Sequence, residues 1–356
     1  MEVARTASAE RLQAAHGELI AATERGEGGR QALRQYSLRM DALVQQLFAD
    51  AGPTPQLVGI FALGGYGRRQ LCLHSDIDLL ILFAGALGNQ DERFLHAFLN
   101  PLWDLGLTVG HHVREVSDGA QLEGDNPEFL LALTDARSIV GDATLLDRLL
   151  EATDVARTAS RTLDALKTLI AERHARFNDT FYQLEPELKE APGGLRDLFG
   201  AQTIAKLTDP KLLRQGGSGM RALDDAEEFL LRVRSILHLE TKGHHDVLGH
   251  ELQEKAAERL QYPGATARQR VERLMGDYFR HARAIDRSLK WALRAAPTPI
   301  ARNVVRSAEG IRFVDLREAS DRPETWLAVF QAALDGQCGV SDEALGCIQQ
   351  LSLIHI

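Results

Sequence analysis

The chain has 356 residues, a length that holds two to three ordinary domains. With 44% hydrophobic and 26% charged residues it has the make-up of a globular protein, not of a disordered one. Forty-one Lys and Arg against fifty Asp and Glu leave a net charge of −9. That excludes a surface built for bulk nucleic acid but permits a local pocket for one nucleotide. The start, MEVARTASAERLQAAHGEL, lacks the apolar core of a signal peptide. No run reaches the roughly 18 apolar residues of a membrane span, so a cytoplasmic protein is expected.

Residues 8–50 show helical periodicity, broken at GEGG (27–30). AGPTP (51–55) is a turn, QLVGIFAL (56–63) reads as a buried strand, and GGYGRRQ follows as a glycine-rich loop. SDIDLLILF (75–83) reads as a second strand, residues 91–106 as a helix, and GLTVGHHVREV (106–116) as a third strand. Helices are expected at about 127–136 and 142–155. From about 158 to 295 the pattern is helical, with breaks at APGG (191–194), QGGSG (215–219) and YPG (262–264). The remainder, from GIRFVDLREAS onward, reads as a short strand and two helices. The three cysteines, Cys72, Cys338 and Cys347, are too few and scattered for a disulfide framework or a CxxC metal site.

The chemistry concentrates in Leu63-Gly64-Gly65-Tyr66-Gly67-Arg68 and the following Ser75-Asp76-Ile77-Asp78. Glycines let backbone N–H groups approach a phosphate. Asp76 and Asp78, two apart on a strand, point to one face, where two carboxylates repel unless a cation sits between them. Magnesium takes such oxygen ligands together with substrate phosphates. The segment therefore reads as a metal–triphosphate site. Asp76 and Asp78 are the expected metal-binding and catalytic carboxylates. Gly64, Gly65, Gly67, Arg68 and Ser75 are expected to contact the nucleotide. The pattern is neither GxGxxG nor GxxxxGK[ST].

ALGGYGRRQLCLHSDIDLLILF resembles the nucleotidyltransferase superfamily that includes DNA polymerase beta. More closely, the chain is similar to the bifunctional uridylyltransferase/uridylyl-removing enzymes that modify the nitrogen-regulatory PII protein. Three further segments carry this likeness: LWDLGLTVGHHVREV (102–116), EPELKEAPGGLRDL (185–198) and FLLRVRSILHLETKGHHDVLGHELQEKAAERLQY (229–262). Family members usually read GRGELHPYSDIDLL. Here Arg69, Gln70 and Leu73 replace Gly, Glu and Pro at unchanged length, so the loop geometry is expected to survive.

The resemblance implies an α+β fold, a small polymerase-beta-like sheet with flanking helices followed by a mainly helical domain. The expected division is N-terminal helices at 1–50, a nucleotidyltransferase domain at 51–140 and a helical domain at 141–300. Residues 301–350 would lead into a hydrolase domain not in this chain. Leu351–Ile356 reads as a translated sequencing adaptor. The implied activity is magnesium-dependent transfer of UMP from UTP to a tyrosine of PII, with pyrophosphate released. Adenylyl transfer to another protein and an inactive nucleotide-binding fragment are the alternatives. Removal of UMP and a response to glutamine are expected to be absent.

The superfamily uses a third carboxylate, for which Glu115 and Asp104 are the nearest candidates. His244-His245-Asp246 and His250 suggest a metal phosphohydrolase, but a polar kink between helices is the preferred reading. His111 and His112 face opposite ways on a strand, so at most one enters the site. Lys189, Arg196 and Asp197 flank the PGG turn, either as a solvated face or beside the nucleotide.

Overall fold

A computed structural model describes residues 2–54, 56–119, 127–151, 155–208, 219–307, 310–322, 324–336 and 339–355. Helices α1 (Glu2–Glu24) and α2 (Arg30–Asp50) are separated at the GEGG break, with Gly29 as the residue before α2. Their apolar stripes are buried: Leu12, Ala15 and Leu19 on α1, and Leu33, Met40, Val44 and Leu47 on α2. His16 and Tyr36 join the two helices by a 3.0 Å hydrogen bond.

Strand β1 (Val58–Ala62) leads into a short helical turn, α3 (Gly64–Gly67), and then β2 (Ile77–Phe83). The glycine-rich segment, expected as a loop, is thus helical. Glycine disfavours helix, but here tertiary packing decides. A β-carbon on Gly67 would lie 2.1 Å from the Asp135 carbonyl oxygen, so only glycine fits. Helix α4 (Asn89–Asp104) connects β2 to β3 (Val109–Glu115), which pairs parallel to β2.

Helix α5 (Pro127–Leu133), β4 (Arg137–Gly141) and α6 (Thr144–Glu151) follow. The expected helices at 127–136 and 142–155 are both shorter than read, and β4 lies between them. It was not assigned from sequence because Ile139 alone among its five residues is buried, which leaves no alternation to read. The sheet order is β3-β2-β1-β4, with β1 antiparallel to both β2 and β4.

The helical region comprises α7 (Val155–Ala175), α8 (Leu195–Leu207), α9 (Gly219–Thr241), α10 (His250–Arg259) and α11 (Ala267–Ala295). The break before α8 extends over 176–194, well beyond APGG. A second break at 242–249 separates α9 from α10. The QGGSG break falls almost wholly outside the described residues, with Gly219 opening α9.

The last part is also richer in strands than expected. Three short antiparallel strands, β5 (Thr298–Ala301), β6 (Val304–Ser307) and β7 (Gly310–Phe313), pack with α12 (Leu316–Asp321), α13 (Glu324–Gly336) and α14 (Asp342–His355). Strands of four residues are too short to show alternation. The turn before β6 places Asn303 at φ 59°, the left-handed region that Asn tolerates better than most residues. Backbone helix continues through residues 351–355, and Ile356 lies outside the described residues. No described helix is long and apolar enough to cross a membrane.

The two sheet faces bury different sets of residues. Ile60, Ile77, Leu79 and Ile81 join one large core with α1, α2, α4 and the helices α8, α9 and α11. Phe61, Leu63, Leu80 and Leu82 form a second cluster with Phe129 and Leu130 of α5 and Leu145 and Leu149 of α6. A third cluster, including Val304, Ile311, Phe313 and Val329, is confined to the last part of the chain.

Candidate active site

β1 and β2 run antiparallel, so the glycine turn that leaves β1 meets the beginning of β2. Leu63 N–H donates to the Asp78 carbonyl (2.9 Å), which ties the turn to the strand. Gly64 has φ +50°, a conformation glycine adopts without strain, and a β-carbon there would approach Asp78 Oδ2 to 3.8 Å. Asp78 is half-buried and Asp76, just before the strand, is exposed. Burial pushes the Asp78 carboxyl up, the Asp76 charge adds to this, and Lys189 and Arg68 oppose it. Among the described residues, neither aspartate side chain is in a hydrogen bond or a close ion pair.

Asp78 stands opposite Gly110 of β3 in the parallel register. A β-carbon on Gly110 would lie 2.6 Å from Asp78 Oδ1, so this glycine makes room for the carboxylate. Sequence reasoning missed Gly110, although a glycine inside a strand is itself a signal of close approach.

A cavity of about 860 Å³ opens in front of the aspartates, between the sheet and the helical region. Gly64, Gly65, Arg68, Ser75, Asp76 and Asp78 all line it. A β-carbon on Gly65 would come no nearer than 4.0 Å to any atom, the nearest being on Arg68, so this Cα looks into open space. Gly67 does not line the cavity; it packs on Asp135. Ser75 Oγ accepts from Cys72 N–H (3.1 Å) and so shapes the approach to Asp76. The Arg68 guanidinium pairs with Asp135 and lies 3.8 Å over the Phe199 ring. It fastens the glycine turn to the turn after α5 and to α8. Arg69 follows at φ 60°, so the loop keeps its shape with a non-glycine residue in left-handed geometry.

The helical region supplies the opposite wall. Glu187 Oε2 accepts from the N–H groups of Lys189 (3.0 Å), Glu190 and Ala191 (3.2 Å) and closes a compact turn. A β-carbon on Gly193 (φ +75°) would lie 2.6 Å from the Ala282 carbonyl oxygen, and one on Gly194 would lie 2.7 Å from that of Leu188. The PGG glycines therefore serve packing. What the turn presents to the cavity is Lys189 and Arg196. Asp197 is fully buried and holds Arg173 (2.6 Å), His174 (2.8 Å) and Gly193 N–H (2.7 Å).

Neither candidate for a third carboxylate lines this cavity. Glu115 pairs with Phe83 at the far end of β2 and accepts from Leu87 N–H (3.0 Å) and Ser117 (3.2 Å). Asp104 ends α4. Glu128 and Asp135 are further acids on the wall, and Asp135 is engaged by Arg68 and Lys206. Of the two strand histidines, His112 lines the cavity beside Phe129, whereas His111 packs on Trp103.

His238, His244 and Asp246 come close enough together to ligate a metal. Arg234 takes that position instead. Its Nε donates to Asp246 (2.7 Å), and its Nη2 lies 3.5 Å from His244 Nε2. Burial favours protonation of Asp246, but the His238 hydrogen bond and the Arg234 charge outweigh it and hold the carboxyl well below its ordinary range. Burial pushes His238 down to about 4. This arrangement is the polar kink between α9 and α10. His250 lies outside it, beside Glu185 (3.2 Å).

Residues 161–293 match the family model of the GlnD PII-uridylyltransferase. That match covers α8–α11 and most of α7, and thus the wall bearing Lys189 and Arg196. The chain is also 31% identical over 321 residues to proteins described as bifunctional uridylyltransferase/uridylyl-removing enzymes from Burkholderia mallei, Burkholderia pseudomallei and Burkholderia thailandensis. This likeness covers 85% of the chain and 37% of the length of each relative.

Proposed function

We propose that the chain is a nucleotidyltransferase that moves UMP from UTP to a tyrosine hydroxyl of a PII protein and releases pyrophosphate. The observation that carries this reading is the Asp76–Asp78 pair on a cavity wall, beside the open face of Gly64 and Gly65 and opposite a cationic wall. The two carboxylates repel each other and lack other partners among the described residues, and their hard oxygen donors suit magnesium. Asp76 and Asp78 would hold it; when bound, magnesium draws charge from the triphosphate and makes an attacking hydroxyl more acidic.

The chain's own part is positioning and charge neutralisation. The first N–H groups of a helical turn have no acceptor within it, and among the described residues those of Gly64 and Gly65 meet no other acceptor, which leaves them for phosphate oxygens. Arg68 keeps the turn in place through Asp135 and Phe199. Uracil as the base rests on the names of the relatives and of the matching family model, and PII as the acceptor on the name of the family model. The removing activity named for those relatives is not proposed for these residues, because Asp246 is committed to Arg234. The test is incubation with PII, Mg²⁺ and each α-labelled nucleoside triphosphate. Label from UTP on PII is the expected result. Label from ATP alone would replace uridylyl by adenylyl transfer, and no label from any nucleotide would overturn the reading.

A further inference from the structure

Most cations on the cavity wall already have an acid. Arg68 pairs with Asp135, Arg173 with Asp197 and Arg234 with Asp246. Arg176 and Arg196 share Glu190, at 3.8 and 3.0 Å. Lys189 differs: among the described residues, no carboxylate lies within ion-pair distance of its ammonium. It lines the same cavity as Asp76 and Asp78, and its charge acts on Asp78 across that space.

The backbone around Lys189 is fixed from several sides. Its N–H donates to Glu187, its carbonyl accepts from Arg196 N–H (2.9 Å), and Leu188 N–H donates to the Asp246 carbonyl (2.8 Å). Gly193 and Gly194 allow the turn to close directly on Ala282 and Leu188. A long cationic side chain held at its base, half-buried and without an acid, leaves a positive charge that the fold does not neutralise. A polyanion spanning the cavity from the aspartate side would neutralise it.

We propose that Lys189 binds the non-transferred phosphates of the nucleoside triphosphate, so that the helical region completes the nucleotide site. This deepens the function proposed above and rests on the same cavity. The tyrosine oxygen forms its bond to the α-phosphorus as the bond from that phosphorus to the bridging oxygen breaks, the hydroxyl proton passes to solvent, pyrophosphate leaves, and Lys189 balances the charge that gathers on that leaving group. The covalent step itself passes no proton to or from Lys189.

The experiment compares the full chain with Lys189→Met and Lys189→Arg in two assays. Calorimetric binding of inorganic tripolyphosphate is expected to weaken at least ten-fold in Lys189→Met and to return to within about three-fold of wild type in Lys189→Arg. In the transfer assay, Lys189→Met should raise KM for UTP and weaken inhibition by pyrophosphate, with the thermal midpoint unchanged. Tripolyphosphate affinity equal to wild type in Lys189→Met, or no binding by the wild-type chain, would overturn the assignment. If Lys189-dependent binding is found but no nucleotide is transferred, the phosphate site stands and the proposed reaction falls.

Discussion

Gly110 and Asp78 face each other across the parallel β2–β3 pair, and the missing side chain of one is the space taken by the carboxylate of the other. Adding a single methyl group should therefore test the site with little change to the fold. Gly110→Ala is expected to lower transfer at least ten-fold by displacing Asp78. Its thermal midpoint should stay close to wild type, because alanine in a strand recovers roughly 0.5–1 kcal/mol of chain entropy that glycine forfeits. Parallel turnover and melting measurements check this. Full activity in Gly110→Ala would mean that the position of Asp78 is not critical.

Asp76→Asn and Asp78→Asn should each abolish transfer while the chain stays folded. The folded pKa of Asp78 is raised, so its contribution to stability is fully present below the unfolded value and is lost as pH rises through the folded one. At neutral pH the charge works against folding, and Asp78→Asn should melt at or above the wild-type temperature. Unchanged turnover in either variant, with circular dichroism intact, would refute the site.

The glycines of the turn should separate by role. Gly65→Val projects a branched side chain into the cavity and should weaken UTP binding strongly with little loss of stability. Gly67→Ala puts a methyl group against the Asp135 carbonyl and should cost about 1–3 kcal/mol of stability. Calorimetric titration with UTP and urea unfolding of both variants measure the contrast.

His238 gives a pH prediction. Its folded pKa, lowered to about 4, lies below the unfolded value of 6.5. Between these values the unfolded chain binds a proton that the folded one refuses, so stability falls as pH drops from 6.5 to about 4. The full effect is roughly 3 kcal/mol at most. Burial pushes Glu187 up to about 7, and its effect across this range has the opposite sign. Since it is present in both proteins, it cancels in a comparison with His238→Gln. Asp246, held low, acts only below the ordinary carboxylate range. Urea unfolding at pH 5 and pH 7 should show a smaller loss for His238→Gln than for wild type.

The sheet strands and the Gly-turn-DxD order were legible because apolar runs, glycines and paired carboxylates are local patterns. β4 was not, since one buried side chain in five carries no periodic signal. Nor was the difference among the three glycines: Gly67 is fixed by Asp135, which is remote in sequence, and spacing says nothing about such a partner. Arg68 read as a phosphate ligand from its position beside the glycines, yet its partners Asp135 and Phe199 arrive from the turn after α5 and from α8. The likeness around PGG marked the right segment. That its glycines pack and Lys189 faces the cavity needed the three-dimensional arrangement.

The large core does not stop at the edge of the sheet. Ile77 and Leu79, beside the aspartates, belong to the same buried cluster as Ile204, Leu237 and Leu289 in the helices. Residues 51–140 cut out as a separate piece would carry a bare apolar flank where those helices had been, inviting aggregation. Shaving a core leucine in α11 would loosen the aspartates without touching them. The sheet and the long helices should melt in one cooperative step, and loss of nucleotide binding on heating should track loss of helix.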